Sequence, residues 1–328
     1  MTRRLMLFVA LCAVLGARVQ AYSHFGTGTG DVRVHWDPPQ ARWLATNRGA
    51  DGVTASDFQS ALLRAFQTWQ DVPTATVEFA FDGFTSAEPL ADDGLSVIGF
   101  QNHPEMDRVL GATSFVYDED TGELIEADIF FNSAFEWSTA GGGDPNRFDL
   151  ESVAVHEIGH FLGLGHSAIG ETEIRPEGGR RVLGSGAVMF PISLGRGSIV
   201  DRVLQPDDIA GVSDLYPTDD FEESTGGVHG SVRHGSAAAL GAHVVAFNTR
   251  TRALVGGFAL GADGQFQIMG LSPGPYVLRV EPLDDADIDS FFDLDNVDID
   301  FQVTFHPQLV VAPSGGVGDR VDVTVRPK

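Results

Sequence analysis

Residues 156–166, HEIGHFLGLGH, put three histidines and a glutamate within eleven positions of a chain that holds 10 histidines in 328 residues. On a helix, at about 100° per residue, His156 and His160 lie within roughly 40° of each other and one turn apart. That is the spacing at which two imidazoles bind one ion. Glu157 is offset in a third direction, near such an ion without having to ligate it. Gly163 comes a turn later, where a left-handed residue can end the helix and swing the chain round. The bend brings in His166 as a third nitrogen. Three neutral imidazoles and one open position describe a catalytic zinc site, since a structural site is closed by four protein ligands. Water on such a zinc has a pKa of about 7. Glu157, as general base, would take its proton as hydroxide attacks a carbonyl and pass it to the departing amine. Any one of these histidines alone also reads as a polar helix residue. The combination with Gly163 and His166 selects zinc.

The elements that must carry this motif are legible around it. Asp149 is a candidate N-cap, and Leu150, Val153, Ala154, Ile158, Phe161 and Leu162 form one apolar stripe, leaving the two histidines clear of it. Upstream, VRVHW at 32–36 alternates as a strand. TASDFQSALLRAFQTWQDVP sets Phe58, Leu62, Ala65, Phe66 and Trp69 on one helical face, and Pro73 closes it. TVEFAF, LSVIGF, GATSFVY and LIEADIFFN are β-branched and aromatic runs separated by turn residues, as a sheet requires. Residues 118–123, DEDTGE, suit a hairpin turn. Asp118, Asp120 and Gly122 also have the alternating spacing of a calcium loop, so calcium is a second candidate cation there.

With these residues in view, the sequence resembles the metzincin zinc metalloproteases. Ser167 directly after the third histidine is similar to the matrixin branch, the matrix-metalloproteinase-like family. AVMFP at 187–191 resembles that family's Met-turn. The resemblance implies that Met189 lies beneath the zinc and that Pro191 helps to wall the S1′ pocket, although Met189 by itself also reads as a core methionine. LQPDDIAGVSDLYP is similar to the closing helix of matrixin domains, and GATSFVY and EADIFFN to the cleft-edge strand and its partner. The likeness covers about residues 31–217. It implies an α+β fold, with a twisted, mixed five-stranded sheet and long helices, and a metalloendopeptidase that hydrolyses protein or peptide substrates. Three departures stand out. The polar insert ETEIRPEGGRR lengthens the path from His166 to Met189. The histidines for a second, structural zinc are not found: His103 is the only one between the first helix and His156, and His35 and Asp37 belong to the first strand. No cysteine-bearing prodomain fits within residues 21–30.

Beyond residue 218 the texture changes. TDDFEESTGG has the composition of an exposed linker. HVVAFN, ALVGGFAL, GQFQIMG, YVLRVE and VDVTVR then recur as strands without a helix, which argues a β-sandwich. DGQFQIMGLSPGPYVLRV resembles the carboxypeptidase-regulatory-like domain, with Phe266 and Ile268 facing its core, a likeness that implies a fold and no activity. His229, His234, His243 and His306 read as surface or packing residues. The acidic run DDADIDSFFDLDNVDID reads as an exposed loop, with calcium as the alternative.

At the other end, Arg3 and Arg4 precede the apolar run Leu5 to Ala17, with Val-Gln-Ala at 19–21. The run is nearer a signal-peptide core than the roughly 20 residues of a membrane anchor, so secretion is expected. The single cysteine, Cys12, lies inside that run. A chain without it has no disulfides and relies on its cores and on bound metal. The net charge of −25 opposes nucleic acid and anionic lipid. The expected organisation is a signal peptide at 1–21, a catalytic domain at 22–218, a linker at 219–226 and the β-sandwich at 227–328. The expected protein is a secreted, extracellular monomer with one catalytic zinc, and no membrane or nucleic-acid partner after signal cleavage. Its catalytic segment is expected to cleave small peptides without the sandwich. The alternative is an inert metzincin-fold adhesion protein, which predicts a lost ligand or base; His156, Glu157, His160 and His166 are all present.

Overall fold

The computed structural model describes residues 3–7, 23–27, 32–176, 180–261, 263–285, 291 and 297–328. The expected signal cleavage site, and most of the acidic run proposed as a calcium alternative, lie outside these residues. In chain order the first unit comprises β1 (Arg3–Leu7), β2 (Gln40–Thr46), α1 (Ala55–Gln70), β3 (Glu78–Thr85), β4 (Val97–Gln101), β5 (Gly111–Asp118) and β6 (Leu124–Asn132). It continues with β7 (Trp137–Ser138), β8 (Phe148–Asp149), α2 (Leu150–Phe161), β9 (Gly170–Ile174), β10 (Arg180–Ser185) and α3 (Pro206–Leu215). The large sheet runs β1-β5-β6-β4-β2-β3. The pairs β2–β3, β2–β4 and β4–β6 are parallel, whereas β5 is antiparallel to β6. This is the mixed sheet expected, with Arg3–Leu7 laid along Ser114–Asp118 as a further strand.

Both long helices form where the apolar spacing puts them. In α1, Phe58, Leu62, Ala65, Phe66 and Trp69 are all buried, and the Thr54 hydroxyl caps the helix by accepting from the Asp57 amide. α1 packs on α2, where the Trp69 indole donates to the Val155 carbonyl at 2.8 Å. The sheet differs from the sequence reading at its start. VRVHW makes only isolated bridges, among them His35 to Glu123, although Val34 and Trp36 are buried. The ladder strand is β2, whose Ala41, Trp43 and Ala45 alternate inward. Alternation in VRVHW reports a buried face, and a ladder needs a partner of equal length as well.

The second unit holds β11 (Gly226–His234), β12 (Ala237–Ala238), β13 (Ala242–Asn248), β14 (Leu254–Ala259), β15 (Gln265–Leu271) and β16 (Gly274–Glu281). β17 (Thr304–Phe305), β18 (Val310–Ala312) and β19 (Val317–Val325) complete it. One sheet is β12-β11-β15 with β19 parallel to β11; the other is β14-β13-β16-β17 with β18 on β16. Phe266 and Ile268 are buried between them, as their alternation requires. The stretch read as an exposed linker is structured. Phe221–Ser224 form a helical turn, α4, with Phe221 buried, and Gly226 and Gly227 already belong to β11. Ala210 of α3 lies in the same apolar cluster as the sandwich residues, so the two units share packing.

Candidate metal centre

α2 starts at Asp149, whose carboxylate accepts from the Ser152 amide at 2.9 Å and is held by Arg202 at 2.5 Å. The helix ends at Phe161. Gly163 has a φ of +98°, and a Cβ there would stand 2.2 Å from the Val34 carbonyl oxygen, so a side chain is excluded on both counts. The chain turns at this point and returns His166 to the helix face.

One ligand atom from each of His156, His160 and His166 lies within 4.8 Å of the others. The Nδ1 of His156 donates to the Val188 carbonyl at 2.8 Å, and that of His160 to the Leu164 carbonyl at 2.8 Å. A carbonyl can only accept, so both protons sit on Nδ1 and both Nε2 lone pairs face inward. His160 Nε2 and His166 Nε2 are 3.2 Å apart. Zinc–nitrogen bonds of about 2.0–2.1 Å in tetrahedral geometry set nitrogens about 3.3 Å apart, and the cluster fits a zinc site. Burial also favours the neutral ligand form. It holds His156 below its ordinary value, and His160 well below, where charge on His166 and His156 adds to the effect.

Glu157 is buried beside them. The Thr113 hydroxyl, on β5, donates to its Oε2 at 2.8 Å, and burial pushes the carboxyl up to about 7. β5 approaches this closely because residue 111 is glycine; a Cβ there would lie 3.3 Å from Glu157 Oε1. Met189 sits against α2 at Gly159. Gly159 leaves room for it, as a Cβ at that position would be 2.2 Å from Met189 Sδ. A cavity of about 480 Å³ opens over the three histidines and Glu157. Gly111–Thr113 line one side of it, and Val188, Phe190 and Pro191 line the other. Asp201 reaches the same cavity, its carboxyl pushed up to about 6 by burial and by the charge of Asp149.

Residues 35–176 match the matrixin family model. This segment belongs to the matrixin family. Metalloendoproteinase 1-MMP of Arabidopsis thaliana is 33% identical over 174 residues, 51% of this chain and 40% of that protein. Interstitial collagenase of Oryctolagus cuniculus is 27% identical over 183 residues, 55% of this chain and 32% of that protein. Karilysin of Tannerella forsythia is 25% identical over 221 residues, 65% of this chain and 40% of that protein. The chain thus spans less than half the length of these curated relatives.

The fold brings His156, Glu157, His160, His166 and Pro191 to one cavity, with Met189 against Gly159 of α2. It also uses residues that the sequence did not single out. Asp208 accepts from the Val188 and Met189 amides at 2.9 and 3.0 Å and so pins the turn beneath the histidines. The PDD at the start of α3 reads as an acidic first turn, so only long-range contact reveals this role. Phe25 packs at a tilt on His160 with ring centroids 5.6 Å apart, and the Phe25 amide donates to the Gly163 carbonyl. The insert after His166 forms the β9–β10 hairpin, and Arg180 from it lines the cavity. Asp118 organises the expected turn, accepting from the Asp120 and Thr121 amides, which hold its carboxyl below the usual range. Among the described residues, the three-histidine cluster is the one group of metal-ligating side chains brought together.

Proposed function

We propose that this chain is a secreted, zinc-dependent endopeptidase acting on extracellular proteins. The observation that carries the reading is the convergence of His156, His160 and His166 around one point, with the Glu157 carboxylate beside it in an open cavity. Zinc held by the three imidazoles would supply Lewis acidity toward a peptide carbonyl and acidify water at its open position. Glu157 takes a proton from the attacking water and gives it to the leaving amine. A carboxyl raised to about 7 by burial suits both halves of that transfer near neutral pH. Thr113 holds one Glu157 oxygen, Oε2, leaving Oε1 to move the proton. The substrate backbone is proposed to pair with β5. With residues 1–21 removed as a signal peptide, β5 keeps only β6 as a neighbour, so its other edge, beside Glu157, can take an extended peptide.

The division into a signal peptide at 1–21, a catalytic segment at 22–218, a connection at 219–226 and a sandwich at 227–328 belongs to the same reading. Secretion rests on the basic and apolar N-terminal run. No helix among the described residues is long and apolar enough to cross a membrane.

Two substitutions test the roles. Glu157→Ala should retain zinc through dialysis and lose hydrolysis of casein by about 10²–10⁴-fold. His166→Ala should lose both zinc and activity, since three ligands fall to two. A Glu157→Ala chain that cleaves at the wild-type rate would overturn the assignment of the base, and zinc retained in full by His166→Ala would overturn the ligand set.

A further inference from the structure

His156 and His160 are fixed by the ladder of α2. His166 stands on a loop, and much of what packs against that loop comes from the β-sandwich. Ser167, the next residue, donates its hydroxyl to Asp207 Oδ2 at 2.5 Å, and its amide donates to the Met189 carbonyl at 2.9 Å. The other oxygen of Asp207 accepts the Gly256 amide of β14 at 2.8 Å. One buried carboxylate therefore ties the ligand loop to a strand of the second unit. Gly256 permits the approach, because a Cβ there would meet His243 Nε2 at 2.5 Å and Ile169 Cγ1 at 3.2 Å. The His243 ring packs on Phe258 at 5.3 Å, and its Nδ1 is 3.0 Å from Glu281 Oε1.

An apolar cluster crosses the same boundary. Ala168, two residues after His166, and Phe190, next to Met189, are buried with Phe258, Leu283 and Phe291 of the sandwich. Phe291 lies edge-on to His166, ring centroids 6.1 Å apart at 67°, and Phe258 backs Phe291 at 5.7 Å. At the rim, Arg180 of the cavity wall donates to the Asp284 carbonyl at 3.0 Å.

We propose that the β-sandwich is a working part of the metal centre: Phe291, backed by Phe258, and the Gly256–Asp207–Ser167 chain are positioning groups that hold the His166 ring and the Phe190 wall. The proposal rests on the reading of the site as a zinc peptidase. Its physical basis is preorganisation. A loop ligand that wanders lowers metal affinity, and supporting groups outside the ligand set are worth about 10–100-fold in affinity or activity. The second unit then acts on every substrate, including peptides too short to touch it.

The test uses the full chain, with Phe291→Ala, Phe291→Leu, Phe258→Ala and, as a control, Val321→Ala. Val321 is buried in the sandwich core and is absent from the cluster that contains Phe258 and Phe291. Zinc transfer to a chelator, kcat and KM on a short fluorogenic peptide, and the thermal midpoint are measured for each. Phe291→Ala and Phe258→Ala should release zinc about tenfold faster and lose kcat more than they raise KM. Phe291→Leu should recover part of both, and Val321→Ala should match wild type in zinc release even where its midpoint falls. Wild-type zinc release in folded Phe291→Ala and Phe258→Ala would overturn the proposal. So would a Val321→Ala chain that loses zinc as fast as they do, since general weakening of the sandwich would then explain the effect. Should the alanine variants fail to fold, Phe291→Leu carries the comparison. A wild-type chain that binds zinc without cleaving any peptide would refute the peptidase reading alone, because the zinc-release comparison does not depend on it.

Discussion

Replacing Gly163 by alanine should damage the metal centre without touching a ligand. The residue has a φ of +98°, where a side chain costs about 1–3 kcal/mol of backbone strain. The added Cβ would stand 2.2 Å from the Val34 carbonyl oxygen and 3.3 Å from Leu215 Cδ2. That oxygen cannot swing aside as a side chain would. The Val34 amide donates to Phe25 and the His35 amide to Gly122, so the segment is tied on both sides. Relieving such an overlap costs about another 1–3 kcal/mol. The total, about 2–6 kcal/mol, is a large share of the about 5–15 kcal/mol that holds a domain together. At about 2–4 °C per kcal/mol, the thermal midpoint of Gly163→Ala should fall by at least about 4 °C. The same shift passes to Leu164, whose carbonyl orients His160, and then to His166. Zinc content after dialysis should therefore fall with the midpoint. Gly142→Ala is the control, because a Cβ there meets nothing within 4 Å. If Gly163→Ala matched Gly142→Ala in midpoint and zinc content, the account of how the helix ends would be refuted.

Two further outcomes follow from the buried polar groups. Asp208→Ala leaves the Val188 and Met189 amides without their acceptor, at about 1–3 kcal/mol for each buried donor. Its midpoint should drop by several degrees and its zinc should be lost more readily; an unchanged midpoint would show that the turn holds itself. His24 is buried, and burial, then the charge of Arg33, holds its imidazole well below the ordinary value of 6.5. The unfolded chain then binds a proton that the fold rejects, so stability is lost as pH falls below about 6.5. The fall in midpoint between pH 8 and pH 5 should be shallower in His24→Gln than in wild type, and identical slopes would remove His24 from the acid response.

The three-histidine cluster was legible in the sequence because its geometry is local. Two histidines four apart on a helix, and a glycine free to take positive φ, set most of the site within eleven residues. The α1 face and strands β3 to β6 were legible for the same reason, since side-chain period reports which face is buried. That reasoning misread VRVHW and passed over β2. Burial of Val34 and Trp36 leaves the same alternation whether or not a ladder partner exists, and the inward alanines of β2 give a weak apolar signal. Asp208 was not singled out, and Phe221 fell within a stretch read as an exposed linker. Their roles depend on groups 19 residues or more away, which no local pattern encodes. The placement of Phe258, Gly256 and Phe291 against the loop of His166 is of the same kind. The sequence by itself determined which histidines could converge and the faces of the elements. Only the tertiary structure decided which face met which, because apolar burial is non-directional and a partner is selected by shape and by the few buried polar groups that must be satisfied.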